Sequence, residues 1–293
     1  MKHLSPGRRA FLAVNYTVLV FAALICLLPL VYVLAVSFSS SAAAMANAVT
    51  LWPVDFTLKS YEYVVRKPAF YLSFFVSVKR VLLAVPVNML LTTLAAYPLS
   101  KSRASFRARN VFTWYFVITM LFSGGLIPWF LTVYNTGLLD TIWALVLPSA
   151  LPVFNMIILM NFFRSLPKEL EEAALIDGAG QWTILARIFV PLSVPSLATL
   201  VLFCLVTNWN AWFDGLILMN DPNNYPLQSY LQTVVVNRDI TMLSVKDAEA
   251  LSEISDRTVK CAQIFIAMLP ILGFYPLLQK YFTTGMILGG VKG

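Results

Sequence analysis

Ionisable side chains are scarce in this 293-residue chain, and their scarcity excludes several classes of protein. Charged residues make up 12% of the sequence and hydrophobic residues 59%, whereas a soluble domain carries roughly a quarter charged residues. The one histidine, His3, stands at the start of the chain, so neither catalysis nor metal binding through histidine is expected. The three cysteines lie in apolar stretches without metal-like spacing. The composition indicates an integral membrane protein.

Enzyme motifs are absent as well. The sequence contains no G-x-x-x-x-G-K-[ST] phosphate loop, so the chain is not expected to hydrolyse ATP itself. A net charge of +7 could suggest nucleic acid, but the basic residues flank apolar runs, where membrane topology accounts for them. We therefore expect no catalytic residue, no metal site, no cofactor on this chain and no nucleic-acid partner.

Long apolar runs predict an all-α integral membrane protein with about six transmembrane helices, each of about 20 residues. The predicted spans cover approximately residues 11–38, 71–99, 111–133, 142–163, 196–219 and 259–282. The first run follows a basic start, as in a signal peptide, but it is longer than the apolar region of about 7–15 residues that a signal peptide has. We therefore predict a retained first span and a single transmembrane domain over residues 1–293.

Basic residues predict the orientation of the loops. The loop at 101–109 contains four basic residues and no acid, which indicates a cytoplasmic location. Alternation then places both termini and the loop at 164–195 in the cytoplasm, and the larger loops at 39–69 and 220–257 outside. The three basic residues near the N-terminus agree with this orientation.

A charged, amphipathic stretch at 168–195 separates two apolar runs. Pro167 suits the first turn of a helix, and three glutamates follow near the positive end of that helix. Gly178 and Gly180 are predicted to end this helix, and a second short helix is predicted to stop at Pro191. Neither helix is long enough to span a bilayer. The sequence predicts a helical hairpin on the cytoplasmic side, and the alternative is an ordinary surface hairpin.

The hairpin residues carry a resemblance. Glu172-Ala173-Ala174, followed by Gly178, Ile188 and Pro191, resembles the EAA signature of ABC-importer permease subunits, with Val190 where the family pattern has Leu. The resemblance runs over nearly the whole chain. The segments 122–128, 209–214 and 257–260 are similar to the maltose-type carbohydrate branch, and to its members that import uronic-acid oligosaccharides. The resemblance implies the type I ABC importer permease fold, with a cytoplasmic coupling-helix loop at 164–195.

The resemblance also implies site residues and partners. The coupling residues would be Glu171, Glu172, Ala173, Ala174, Asp177, Gly178, Ile188 and Pro191. The tail is either a frayed terminus or an ATPase-contacting segment made of Gly289, Gly290, Val291, Lys292 and Gly293. The expected partners are a second, different permease subunit, two ATP-binding subunits that hold ATP and Mg, an extracytoplasmic sugar-binding protein and the lipid bilayer. The expected location is the cytoplasmic (inner) membrane of a bacterium.

Lys79 and Arg80 precede the most apolar part of the second span. Burying either charge at the bilayer centre would cost about 2.5–3.5 kcal/mol. They either lie near the outer interface and extend toward water, or face the substrate pathway and attract an anionic substrate. The second interpretation favours an acidic, alginate-type oligosaccharide.

The fifth span contains Asn208, Trp209, Asn210 and Trp212. Aromatic faces stack on sugar rings and amides bind hydroxyls, so these residues are candidates for the substrate pathway; tryptophan is equally typical of membrane interfaces. An ATP-independent carrier or channel is the alternative function, and a membrane scaffold is a third. The scarcity of ionisable residues in the spans, together with no evident pair of broken helices, argues against a carrier.

Overall fold

The computed structural model describes residues 5–236 and 255–290, with side chains for residues 5–234 and 255–276. The regular secondary structure of this part of the chain is helical, as the apolar runs predict. The described residues of Met1–Pro68 and Thr233–Leu269 form one compact unit, and those of Ala69–Gln232 and Pro270–Gly293 form a second. A single transmembrane domain over residues 1–293 stays a prediction.

The helices of the described part are, in chain order, α1 (Pro6–Ser37), α2 (Ser41–Met45), α3 (Lys59–Arg66), α4 (Pro68–Ser100), α5 (Arg109–Leu121), α6 (Leu126–Asn135), α7 (Ile142–Val146), α8 (Val153–Ser165), α9 (Lys168–Ile176), α10 (Gln181–Leu192), α11 (Val194–Asn210), α12 (Phe213–Leu218), α13 (Leu227–Leu231) and α14 (Asp256–Gly290). A 3₁₀ turn at Pro222–Asn224 and a π-helical turn at Gln232–Val236 complete them.

Three of the helices are long and apolar enough to cross a membrane: Pro6–Ser37, Pro68–Ser100 and the segment Asp256–Pro276 of α14. They coincide with the predicted first, second and sixth spans. In α1 the hydroxyl of Ser5 accepts a hydrogen bond from the backbone N–H of Arg8, and proline occupies the first turn, which is a favourable start for a helix.

The predicted third span is not one continuous helix. Helices α5 and α6 meet at a break over residues 122–125 and are bent by 113°. Gly125 has a φ of 88°, which residues with a side chain rarely adopt. Pro128 then lies in the first turn of α6, where its missing N–H costs nothing. The two glycines and the proline therefore make a turn where the apolar run alone predicted a straight helix.

The predicted fourth and fifth spans are interrupted too. The fourth consists of α7 and the 13-residue helix α8, separated by a segment that contains Pro148 and Pro152. The fifth ends its main helix at Asn210 and resumes as α12 after two non-helical residues. Counting each bent pair as one span gives up to five spanning helices in the described residues, against the six predicted. The short α8 accounts for the difference.

The main core of the second unit lies where the C-terminal part of α4 packs on α8, α10 and the start of α11. Its buried side chains are Ala96, Tyr97, Leu99, Met156, Leu159, Met160, Phe163, Ile184, Leu185, Phe189 and Leu200. The hairpin is therefore not a loose loop, because the second of its two helices contributes three of these residues. This packing fixes α10 to the rest of the second unit.

In the first unit, the predicted external loop at 39–69 contains the two short helices α2 and α3. The end of α1 packs against α2 through buried alanine and valine side chains. The guanidinium of Arg257, in α14, donates to the backbone oxygen of Ala44 at 2.9 Å. It also binds the side chains of Asn47 and Tyr32. The segment at 257–260 is thus a structural anchor within this unit.

Candidate functional sites

The predicted hairpin is present and consists of α9 and α10 joined by a tight turn; we refer to residues 168–192 as the hairpin. Gly178 has a φ of 78°, and the N–H of Ala179 binds the backbone oxygen of Ala174 at 2.9 Å. A glycine with positive φ just past a helix end is the usual way to terminate it. Of the two glycines predicted to end the first helix, Gly178 does so, and Gly180 instead precedes the first residue of α10.

The predicted stop at Pro191 is wrong by one residue and for a definable reason. Helical structure continues through Pro191 to Leu192, and the bend of 82° follows before Val194. Residues Leu185–Phe189 form a π-helical turn, which is wider than an α-helical turn. Widening the turn before the proline relieves the clash between its ring and the preceding carbonyl, which otherwise breaks a helix.

Most of the predicted coupling residues lie on the exposed side of the hairpin. Ile176 is 86% exposed and Trp182 is 74% exposed. Among the predicted set, the exposed residues are Glu172, Ala173, Asp177, Gly178 and Pro191. Ala174 and Ile188 are half-buried and pack against the main core. The tip of the hairpin therefore presents an apolar surface flanked by carboxylates.

Glu171 differs from the rest of the predicted set because it is engaged within the chain. Its carboxylate accepts a hydrogen bond from the Lys101 ammonium at 2.7 Å. That ammonium also lies 3.9 Å from the ring centroid of Tyr97 and 4.2 Å from that of Phe189. Burial lowers the pKa of Lys101, while the Glu171 carboxylate opposes this shift. We call Glu171, Tyr97 and Phe189 around this ammonium the Lys101 cage.

A cavity of about 490 Å³ adjoins the Lys101 cage. It lies between the C-terminal end of α4, the loop that follows and the inner side of the hairpin, and its lining includes Pro98, Phe106, Leu175 and Trp182. The Tyr97 hydroxyl donates to the side-chain oxygen of Gln181 at 2.7 Å across one wall. The inner side of the hairpin is therefore incompletely packed, and the hairpin is attached there through few polar contacts.

A second concave surface lies near the break in the third span, and we call it the groove. It is an open depression of about 1080 Å³. Its wall combines aromatic rings with hydroxyl and amide groups: Phe122, Trp129, Trp212, Phe213, Thr119, Ser123, Thr132, Thr207 and Asn210. Asp214 is the ionisable residue among those lining it. Such a wall suits a ligand that has both apolar faces and hydroxyl groups.

The structure divides the four pathway candidates of the fifth span into two pairs. Asn210 and Trp212 line the groove. Asn208 and Trp209 are not among the residues that line it, and the assignment of all four to the substrate pathway stays a prediction. Asn208 is buried and donates to the Asn88 side chain at 3.0 Å, while the Trp209 ring packs edge-on against Phe74. On a helix, residues at i and i+1 point about 100° apart, so a run of polar and aromatic residues cannot face one side together.

Arg80 and Lys79 are adjacent in α4 and also point to different sides of that helix. Lys79 is exposed, whereas Arg80 is 2% exposed. The Arg80 guanidinium makes two hydrogen bonds to the Asp214 carboxylate, one of them at 3.0 Å. Arg80 is therefore neutralised inside the unit, a placement that neither interpretation of the sequence included. A buried, bidentate pair of this kind also fixes geometry.

Asn88 binds backbone carbonyls in the break of the predicted fourth span, between α7 and α8. Its amide donates to the backbone oxygens of Ser149 and Ala150 at 2.8 and 2.9 Å. These carbonyls lie in the non-helical break between α7 and α8, where no helical N–H is available for them. Backbone groups at membrane depth must be satisfied within the protein. Asn88 therefore allows the break to exist.

Lys101, Asp214 and Asn88 make contacts at these sites that their local sequence does not predict. A buried face of α4 does show a polar pattern at spacings of three, four or eight residues: Ser73, Ser77, Arg80, Asn88 and Thr92. That spacing was readable as one polar stripe on a helix. The partners of the stripe were not readable, because they lie in other helices.

The predicted tail is described only in part. Helix α14 continues to Gly290, so the backbone at Gly289 and Gly290 is helical. Val291, Lys292 and Gly293 lie outside the described residues. The interpretation of this tail as an ATPase contact stays a prediction.

Comparison with known proteins gives consistent matches. The family model described as "Binding-protein-dependent transport system inner membrane component" matches residues 1–288. The polygalacturonan/rhamnogalacturonan transport system permease protein YtcP of Bacillus subtilis (strain 168) is 40% identical over 285 residues, 97% of this chain and 99% of that protein. Protein LplC of the same organism is 40% identical over 291 residues, 99% of this chain and 98% of that protein.

A solved structure matches over the whole fold. A chain of a bacterial ABC transporter involved in the import of the acidic polysaccharide alginate superimposes with a TM-score of 0.88 at 34% identity. The match covers 96% of this chain and 100% of that chain. The chain is accordingly a membrane permease with the fold of ABC importer permeases. It has helices long enough to span a membrane, a helical hairpin and an open groove. The chain belongs to the family of binding-protein-dependent transport system inner membrane components.

Proposed function

We propose that this permease forms half of the translocation pathway of an importer for an oligosaccharide that contains uronic acid. The observation that carries the proposal is the groove, which joins four aromatic rings to hydroxyl and amide groups. The flat faces of sugar rings stack on aromatic faces, and the sugar hydroxyls pair with the polar groups between them. The relatives named for polygalacturonan/rhamnogalacturonan and for alginate support the acidic class.

The proposed complex contains a second, different permease subunit, two ATP-binding subunits that carry ATP and Mg, and an extracytoplasmic sugar-binding protein. It lies in the inner membrane of a bacterium, with both termini of this chain in the cytoplasm. The hairpin docks on one ATP-binding subunit through its apolar tip, because a surface with Ile176 and Trp182 exposed gains by being covered. Glu172 lies on the exposed side and makes the polar contact.

Among the described residues that line the groove, none carries a positive charge to match an acidic substrate. Asp214 contributes the ionisable group of the described groove lining, and Arg80 is already paired with it. Lys79 is exposed and stays a candidate for attracting an anion. We propose that this chain contacts the sugar faces and hydroxyls of the substrate, and that most of the cationic contacts to its carboxylates come from the second permease.

The test is reconstitution of the co-purified complex in liposomes with its binding protein. ATP hydrolysis and uptake are measured with the binding protein loaded with alginate or galacturonate oligosaccharides, and again with neutral oligosaccharides of the same length. Stimulation by the acidic sugars alone is the expected result. Stimulation by neutral sugars alone would contradict the acidic class and leave the importer in place.

An ATP-independent carrier is the alternative function, and the expectation of no broken helix pair, which argued against it, is wrong. The described residues include two helix pairs bent by more than 80°, and broken helices are common at the binding sites of secondary carriers. A carrier would move substrate through liposomes that contain this chain alone, driven by a gradient and without ATP. The importer requires the ATP-binding subunits under every gradient.

A further inference from the structure

A lysine at the end of α4 contacts the hairpin, next to the Tyr97–Gln181 hydrogen bond and the buried core that also join them. Lys101 directly follows α4, and its ammonium reaches Glu171 on α9 and the Phe189 ring on α10. It thereby contacts both helices of the hairpin at once. Next to it, the cavity of about 490 Å³ leaves the inner side of the hairpin loosely packed. Lys101 therefore adds a charged contact to the Tyr97–Gln181 hydrogen bond at this place.

The Lys101 cage is built to hold a cation rather than to make an ordinary surface ion pair. The lysine side chain is 9% exposed, so solvent screens the interaction with Glu171 less than at an exposed pair. Two aromatic rings face the ammonium within 4.2 Å, and the negative faces of such rings attract a cation. The backbone oxygen of Lys101 also accepts a hydrogen bond from Arg109 at 2.8 Å, which fixes the main chain that bears the cage.

Helix α4 connects this attachment to the groove. It runs as one helix of 33 residues, and Arg80 and Lys101 are about 21 residues apart, roughly 31 Å at about 1.5 Å per residue. At the Arg80 position the helix holds Asp214, which lines the groove. A displacement of the hairpin that carries the end of α4 with it will thus act directly on a residue of the groove wall. The helix is continuous through Pro86 and Pro98, so it can carry such a displacement from one end to the other.

We propose that Lys101 is a positioning residue for transport, which makes α4 follow the hairpin when the ATP-binding subunits move it. This inference rests on the proposed function, because it requires an ATP-driven movement of the hairpin. It predicts that loss of the caged cation separates ATP hydrolysis from substrate movement, while assembly of the complex is kept. A role in stability alone would lower the amount of complex and leave the ratio of the two activities unchanged.

The experiment measures molecules of alginate oligosaccharide imported per ATP hydrolysed by the complete complex in liposomes. Lys101→Met keeps a long side chain and removes the charge, and we expect it to lower this ratio about 2- to 30-fold. Lys101→Arg restores most of the ratio, because a guanidinium stacks on aromatic rings and pairs with a carboxylate. Arg103→Met is the matched control, since it removes one exposed positive charge from the same loop.

A charge exchange distinguishes the cage from a simple ion pair. Lys101→Glu combined with Glu171→Lys preserves opposite charges, but it places a carboxylate against two ring faces that repel anions, so the ratio stays low. Glu171→Gln keeps an acceptor for the ammonium and lowers the ratio less than Lys101→Met, and it serves as the informative variant if Lys101→Met does not assemble.

A wild-type ratio in Lys101→Met or, where that variant does not assemble, in Glu171→Gln, would overturn the inference. So would equal losses in Lys101→Met and Arg103→Met, or full rescue by the charge exchange. No ATP-driven uptake by the wild-type complex would instead defeat the proposed function itself.

Discussion

Arg80 and Asp214 form a buried ion pair, and removing either partner should destabilise the chain. The loss in the free energy of unfolding should differ between the two deletions. Breaking a buried ion pair by loss of one partner costs about 3–5 kcal/mol. After Arg80→Met, Asp214 keeps 20% side-chain exposure and still accepts a hydrogen bond from the N–H of Gly215. Water from the groove can hydrate it, so we expect a loss of about 3 kcal/mol in the free energy of unfolding, the lower end of that range.

Loss of Asp214 should lower the free energy of unfolding more than loss of Arg80 does. After Asp214→Ala, the guanidinium of Arg80 remains with 3% side-chain exposure and no carboxylate, so the loss should approach about 5 kcal/mol. The double variant Arg80→Met/Asp214→Ala removes both charges and should recover much of this loss, because a buried pair replaced by apolar groups is often nearly neutral. Lys79→Met, at the exposed neighbour, should change stability by less than about 0.5 kcal/mol.

The assay is reversible unfolding of the purified chain in mixed micelles by titration with SDS, followed by tryptophan fluorescence. The wild type, the two single variants and the double variant give a double-mutant cycle, which isolates the interaction between Arg80 and Asp214. Equal losses in the two single variants would refute the argument from exposure. Additive losses in the double variant would refute the ion pair.

Two further predictions follow from the groove and its neighbouring turns. Gly215→Ala would place a Cβ 2.1 Å from the Ser229 hydroxyl oxygen, so unfolding should become easier by about 1–3 kcal/mol, whereas Gly273→Ala, with open space around it, should be neutral or stabilising in the same titration. Asp140 accepts hydrogen bonds from the backbone of residues 220 and 221 and from the Asn224 amide, with a φ of 58°. Asp140→Ala should therefore increase proteolysis of this turn, while Asp140→Asn, which keeps an acceptor and tolerates positive φ, should protect it.

The hairpin was predictable because its determinants are local in sequence. The proline before α9, the glutamates in its first turn and Gly178 after its end all act within a few residues. Apolar length likewise predicted the three long helices. Each of these inferences depends on the backbone of one segment and needs no knowledge of the neighbouring segments.

The contacts within the sites were not predictable in the same way. Arg80 and Asp214 are separated by 134 residues, and Lys101 and Glu171 by 70. Nothing in either local sequence identifies its partner, because the pairing depends on how the helices pack. Periodicity alone could have separated Asn208 and Trp209 from Asn210 and Trp212, since adjacent residues point to different sides of a helix.

The breaks in the predicted spans were predictable only in part. Gly124 and Gly125, followed by Pro128, are local signals for a turn, and they stand inside an apolar run that predicts a span. Hydropathy measures whether a segment can lie in a membrane and does not test whether it is one helix. The interruption of the fourth segment needs Asn88 from a distant helix to satisfy its carbonyls, which no local pattern could predict.

Cross-linking of the hairpin to the ATP-binding subunit tests the central claim most directly. Ile176→Cys and Trp52→Cys place a thiol at two highly exposed positions, one at the hairpin tip and one in the loop predicted to lie outside. With a short photoactivatable reagent on each thiol, the assembled complex should give a cross-link from position 176 to the ATP-binding subunit and none from position 52. A cross-link from position 52 alone, or none from position 176 in a complex that hydrolyses ATP, would contradict the account.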